Sequence, residues 1–344
     1  MNPHRRTLGI GSLAIGLSLA VAGAAVAQDP TPAPTPAPSF ATEPGALTLV
    51  GYTTPREAYA ELIPLFQATP AGQGVTFEES YGPSGDQSRA VSAGLPADVV
   101  ALALWPDVER LVESGIVAPD WDENEHAGIV HNSVVSFAVR PGNPKGIHTW
   151  EDLTREDVVV ITPNPITSGG AQWNILAAYQ AQILAGKTEA EAIDYLSRLA
   201  SRVSVWDRGA RDALTTFANG QGDVLIAYEN EALFAQDSGV PLEVVVPDAT
   251  ILIENPIAAT ATGDAVTQAQ AFVDFVYTPE AQRVYANHHF RPEVDEVAAE
   301  YTFYAPPQLF TVEDLGGWAE ARPKFFDPDN GIMAQIFQTL GIGE

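Results

Sequence analysis

The chain has 344 residues, 46% of them hydrophobic, and sets 17 lysines and arginines against 44 aspartates and glutamates for a formal net charge of −27. Such an excess of acid excludes nucleic acid as a partner, because phosphate backbones are held by clustered cations. The absence of cysteine excludes a disulfide framework and a lipidated N-terminal cysteine.

Arg5 and Arg6 precede an apolar run from Leu8 to Val21, and Ala25-Val26-Ala27 supplies small residues before Gln28. This pattern predicts a secretory signal peptide over 1–27, too short and too interrupted for a membrane span of about 20 residues. The chain is then expected outside the cytoplasm, periplasmic or otherwise extracytoplasmic. Residues 28–45 are rich in proline, which denies helix and sheet pairing and predicts an extended linker. The remaining 300 or so residues are enough for two lobes with cores of their own.

Alternation of strand and helix begins at once. Ala46 to Tyr52 is an apolar strand, and Thr54-Pro55 opens a helix reaching about Gln67. Val75 to Glu78 leads through Ser84-Gly85 into another helix, and the buried strand Ala97 to Leu104 precedes a helix over Asp107 to Ser114. Val134 to Arg140 reads as a strand leaving this lobe, with the break at Pro141-Gly142-Asn143-Pro144 as the crossover. The second lobe repeats the scheme. Its strands are Val158 to Thr162, Val203 to Trp206 and Asp223 to Tyr228, and its helices begin at Gly169, Glu189 and Ala210. Leu242 to Val246 and Thr250 to Ile253 are the expected return strands, followed by helices over Ala265 to Tyr277 and Pro279 to Asn287. The expected lobes are 46–137 with 254–344, which includes a C-terminal segment, and 138–253. Each is an α/β unit with a mostly parallel sheet flanked by helices, and two crossings between them imply a hinged cleft.

Four places share one feature: a strand ends, a small or hydroxylated residue turns the chain, and a helix starts. They are Tyr52 to Pro55, Pro83 to Gly85, Thr167 to Gly170, and Arg208 to Ala210. A helix start exposes unpaired N–H groups and carries about half a positive charge, so it attracts anions without any cationic side chain. That matters here, since the only lysines are Lys145, Lys187 and Lys324. Ligands also collect at strand C-termini in open α/β sheets.

The stretch from Ile161 through Thr167-Ser168-Gly169-Gly170 to Asn174, then Gly209-Ala210-Arg211, then Gly222 to Glu231, closely resembles the periplasmic sulfate-binding proteins of sulfate and thiosulfate ABC importers. The resemblance runs from about Leu47 to the C-terminus and includes Tyr81 to Gly85, Val139 to Lys145, Arg291-Pro292 and Gly316-Gly317-Trp318. It implies a two-lobed, type II-like periplasmic binding protein with its ligand in the hinge cleft. It further implies that sulfate is held by backbone N–H groups at Thr53, Ser84, Gly169, Gly170 and Ala210, by the Ser168 hydroxyl and by the Tyr228 side chain, with Arg211 supporting from behind. The implied partner is the permease of an ABC importer, met by a monomer. Thiosulfate, molybdate and tungstate are the alternative ligands.

Three positions depart from the family. Thr53 stands where Asp is common, Ile166 and Gln172 where Lys and Arg are common, and Tyr228 where Trp is usual. No HExxH, GxSxG or P-loop pattern occurs, so no catalytic, cofactor or metal residue is assigned and a secreted hydrolase is the less favoured class. Glu229 and Glu231 alternate as on a strand and are expected to be structural or exposed. His288 and His289 read as a solvated helix end whose rings diverge.

Overall fold

In the computed structural model of this protein the described residues are 45–263 and 265–342. The signal segment and the linker up to residue 44 lie outside them. Strand β1 (Ala46–Tyr52) is buried along its whole length and pairs in parallel with β2 (Thr76–Gly82) and β3 (Val99–Ala101). Helix α1 (Arg56–Ala68) turns Tyr59, Leu62, Ile63 and Phe66 inward. There Phe66 meets Phe272 of α8 (Val266–Val276) with ring centroids 5.2 Å apart. Helices α2 (Ser84–Ser92) and α3 (Trp105–Glu113) cover the opposite face through Val91, Val108 and Leu111.

The second lobe is built the same way. Strand β5 (Val160–Pro163) lies between β6 (Val203–Asp207) and β7 (Val224–Tyr228), all parallel. Helices α4 (Gly169–Leu184), α5 (Glu189–Arg202), α6 (Ala210–Ala218) and α7 (Glu229–Asp237) flank them. Thr188 opens α5 with a reciprocal capping box, its hydroxyl taking the Glu191 N–H while the Glu191 carboxylate takes the Thr188 N–H. Helix α4 is buried on nearly every side, its apolar and small residues interrupted only by the uncharged amides of Gln172, Asn174, Gln180 and Gln182.

Two long strands join the lobes by changing partners midway. Strand β4 (Ile129–Val139) pairs with β9 (Ala249–Ala259) as far as Val134, and from Val135 it pairs with β7 and with β8 (Glu243–Val245). Strand β9 pairs with β3 at Ile257 to Ala259, with β4 at Leu252 to Pro256, and with β11 (Gln308–Phe310) at Ala249 to Ile251. The crossing therefore sits at Val134-Val135 and Ile251-Leu252, inside the strands. The turn at Pro141 to Pro144, expected as the crossover, instead closes the far end of β4, where the Arg140 guanidinium donates to the carbonyls of Phe217, Gln221 and Gly222. The return strand expected at Leu242 to Val246 likewise stays within the second lobe as β8. β10 (Arg291–Pro292) follows α9 (Pro279–Asn287), adds to β4, and is followed by the single turn α10 (Asp295–Ala298).

The final helices, α11 (Gly317–Phe326) and α12 (Ile332–Leu340), were grouped in sequence with the first lobe. Their apolar faces pack on the second: Trp318 lies edge-on to Trp173, Phe325 to Tyr179 and Phe337 to Trp206, each at 4.8 Å between centroids. Residues after β9 thus return to the first lobe for α8 to α10 and then recross to cap α4 and α5. Phe325 is 1% exposed, and truncating such a side chain costs about 3 to 5 kcal/mol. Phe325→Ala is expected to lower the urea midpoint by a corresponding amount, and an unchanged midpoint would show that α11 contributes nothing to this core.

Candidate functional site

The four strand-to-helix turns singled out in sequence meet at one small cavity. It is lined by Tyr52, Thr53, Thr54, Gly82, Pro83 and Ser84 of the first lobe, by Ala103 after β3, and by Ser168, Gly170, Ala210 and Tyr228 of the second. Ser84 and Ala210 are the first residues of α2 and α6, and Gly170 is the second of α4. First-turn N–H groups have no carbonyl within their own helix. Among the described residues no other backbone carbonyl takes those of Ser84, Gly170 or Ala210, or the N–H of Thr53, which precedes α1. Tyr228 adds a fifth helix start, because it ends β7 and immediately precedes the first residue of α7. Among the described residues no cationic side chain lines the cavity.

Side chains around the cavity divide into those already committed and those free. Ser84 Oγ donates to Asp107 Oδ2 at 2.7 Å and accepts from the Ala103 N–H at 2.9 Å, so only its backbone N–H remains for a ligand. Ser168 Oγ accepts from the Ala171 N–H at 3.3 Å and keeps its proton free to donate. The Tyr228 hydroxyl is buried and makes no hydrogen bond of good geometry among the described residues. Burial holds the phenol well above the ordinary tyrosine range, although the Asn255 side chain lies close enough to pull its pKa down, and so fixes it as a neutral group with a proton to give. Tyr52, by contrast, spends its hydroxyl on Asn255 Oδ1 at 3.0 Å.

Of the residues singled out from the sequence, Thr53, Ser84, Ser168, Gly170, Ala210 and Tyr228 are brought together. Gly169 does not line the cavity. A Cβ there would lie 2.8 Å from Leu104 Cγ and 3.0 Å from Ala103 Cβ, so its missing side chain serves the close approach of α4 to the end of the first-lobe strand. At Gly170 an added Cβ would meet Tyr228 Cε1 at 3.4 Å and Ser168 Oγ at 3.5 Å, within the cavity wall. Ile166 is exposed, and Gln172 donates to the Pro165 carbonyl at 2.9 Å.

Arg211 stands behind Ala210 and spans the lobes. It makes a paired contact with the Glu57 carboxylate of α1, at 2.9 and 3.0 Å, and lies 2.8 Å from Glu231 of α7. Glu229 and Glu231 are therefore neither strand residues nor exposed: they form the first turn of α7, where carboxylates suit the helix dipole, and Glu229 pairs with Arg291 at 2.8 Å. Sequence reasoning took four strand-to-helix turns and missed this fifth. Acids immediately after an apolar strand, ahead of Ala232, were the signal. It also missed Asp107 and Asn255, polar residues embedded in apolar runs and almost fully buried. His288 and His289 do diverge, toward Glu61 at 3.0 Å and Asp237 at 2.7 Å.

The family model for bacterial extracellular solute-binding proteins matches residues 47–291. A sulfate-binding protein of Synechococcus elongatus is 40% identical over 309 residues, covering 87% of this chain and 88% of the relative. The chain belongs to the sulfate-binding protein family. A thiosulfate-binding protein of Escherichia coli is 37% identical over 80% of this chain and 86% of its own length. Among solved structures, the sulfate-binding protein SubI from Mycobacterium tuberculosis is 44% identical and superposes with a TM-score of 0.80, over 82% of this chain and 99% of that one. The two-lobed α/β architecture expected from the sequence is the family's architecture.

Glu231 gives this family member a titration of its own. Burial pushes its carboxyl up from 4.5 to about 7, with Arg211 pulling down and Glu57 pushing further up. Between those values the folded chain holds a proton that the unfolded chain has released. The associated stability is complete below about pH 4.5 and is lost as pH rises toward 7. Urea unfolding of the wild type and Glu231→Gln between pH 4.5 and 7.5 is expected to show a steeper decline in the wild type than in the variant, where Glu254 and Glu293 still titrate high; parallel curves would contradict it.

Proposed function

We propose that this chain captures sulfate between its lobes and passes it to the permease of an ABC importer in the membrane. The observation that carries this reading is the cavity: helix-start N–H groups from both lobes and a buried phenol border one small space that, among the described residues, no cation lines. Sulfate is fully deprotonated near neutral pH and presents only acceptors, which is what a ring of donors accommodates. The donors in this reading are the N–H groups of Thr53, Ser84, Gly170 and Ala210 and the hydroxyls of Ser168 and Tyr228. Micromolar affinity requires about 8 kcal/mol, and each hydrogen bond to a charged group contributes about 1.5 to 3 kcal/mol before the costs of association. Directed donors therefore dominate, with helix dipoles of about 0.3 to 1 kcal/mol apiece in support. Cleavage after residue 27 would release the protein outside the cytoplasm, where it works as a monomer, without a cofactor and without catalysing a reaction.

Thiosulfate is the second reading, favoured by the similarity to a thiosulfate-binding relative. Calorimetric titration with sulfate, thiosulfate, molybdate and phosphate separates the possibilities, and heat from none of them would refute the oxyanion reading. Ser168→Ala is expected to weaken sulfate binding by about 1.5 to 3 kcal/mol, the worth of one charged hydrogen bond. Gly170→Asp puts a carboxylate on the wall beside Tyr228 and is expected to weaken binding far more. Equal, negligible effects would remove the start of α4 from the site.

Tyr228 bears on selectivity. Phosphate keeps a proton that must find an acceptor when buried, and leaving it unpaired costs about 1 to 3 kcal/mol. An indole N–H can only donate, whereas a phenol oxygen also accepts. Tyr228→Trp is therefore expected to raise the preference for sulfate over phosphate, measured by phosphate competition near neutral pH. The same ratio in both proteins would show that Tyr228 acts as a donor alone.

A further inference from the structure

A second cavity, of about 260 Å³, lies between α2 and α3 of the first lobe and α4, α11 and α12 of the second. It approaches in size the smaller end of ordinary small-molecule sites, about 300 Å³. Its lining gathers Arg89, Arg110 and Arg322 with the carboxylates of Asp107 and Asp327, and sets beside them the apolar side chains of Ile166, Phe326, Met333 and Phe337. Three of the chain's few cations converge here although acids outnumber them 44 to 17.

The three guanidinium groups are not equally occupied. Arg110 contacts Asp107 at 3.0 Å and the Ser88 hydroxyl at 2.6 Å, and Arg89 contacts Asp86 at 2.6 Å and the Ile166 carbonyl at 3.3 Å. Arg322 is partly buried on α11 and gives one hydrogen bond, to the Pro106 carbonyl at 3.1 Å. No carboxylate lies within salt-bridge distance of it among the described residues. Burial and the neighbouring Arg110 both hold its pKa below the ordinary arginine value, with Asp107 and Glu113 acting the other way. A guanidinium carries five N–H donors in a planar fork suited to a two-oxygen acceptor, so most of those on Arg322 remain available.

We propose that this cavity is a second binding site, for an amphipathic organic anion whose sulfonate or carboxylate head lies on Arg322 and whose apolar body lies along Phe326, Met333 and Phe337. The head group satisfies the donors that the protein leaves open, and the body covers the aromatic and thioether surface beside them. Inorganic sulfate has no apolar body and does not compete. The site is separate from the oxyanion cavity, with which it shares no lining residue.

The probe is 2-naphthalenesulfonate, titrated calorimetrically into the full secreted chain with and without excess inorganic sulfate, and 2-naphthalenemethanol is the neutral comparison. Saturable binding that persists in saturating sulfate is expected, weakened about tenfold or more by Arg322→Met, which keeps an apolar stem and removes the fork. The absence of saturable binding would overturn the proposal. So would competition by sulfate, equal affinity for the neutral analogue, or unchanged affinity in the variant. Should Arg322→Met fail to fold, phenylglyoxal modification of Arg322 in the wild type, followed by peptide mass, gives the same decision. The probe should slow modification at Arg322, and an unaltered rate would count against the site.

Discussion

A dianion can be held inside a strongly acidic chain only where neutral donors are gathered densely enough to replace its hydration. Single helix starts contribute little, and their partial charges fade within a turn. The architecture answers this constraint by bringing helix starts from two lobes to one point. β1, β3, β5 and β7 all run toward it, and the partner exchange of β4 and β9 sets the two families of strand ends face to face. The fold, the shortness of β3 and the glycines at the start of α4 all follow from that convergence.

A second layer of polar contacts keeps the donors aimed. Asp107 takes the Ser84 hydroxyl and is itself held by Arg110. Asn255 takes Tyr52 and gives to the Ala103 carbonyl. Buried acids here have cationic company: Glu229 with Arg291, and Glu231 with Arg211, which also reaches Glu57 across the cleft. Breaking such a pair leaves an uncompensated charge and costs several kcal/mol. These contacts therefore specify the arrangement around the cavity more than they add to net stability.

Much of this was legible in the sequence because it rests on local rules. Strand runs ending in small or hydroxylated residues mark helix starts, and the four turns read that way do share a cavity. Local pattern failed where tertiary contact decides. The strand expected from Ala97 to Leu104 ends in the structure at Ala101, because the Ala103 N–H is claimed by Ser84 and its carbonyl by Trp173 and Asn255. The crossing point was misplaced because a proline and glycine turn is a stronger local signal than an exchange of partners within two continuous strands. The recrossing of α11 and α12 has no local signature, since apolar helix faces do not say which lobe they will cover.

The bond from Trp173 Nε1 to the Ala103 carbonyl, 2.9 Å long, joins the core of one lobe to the strand end of the other. Trp173 has no exposed surface and sits edge-on to Trp318. Parting of the lobes at this point would cost the indole its acceptor and alter the polarity around it, and such changes move tryptophan emission. The molecule thus carries, on the helix that begins at its candidate site, an indole whose emission depends on the contact between the lobes.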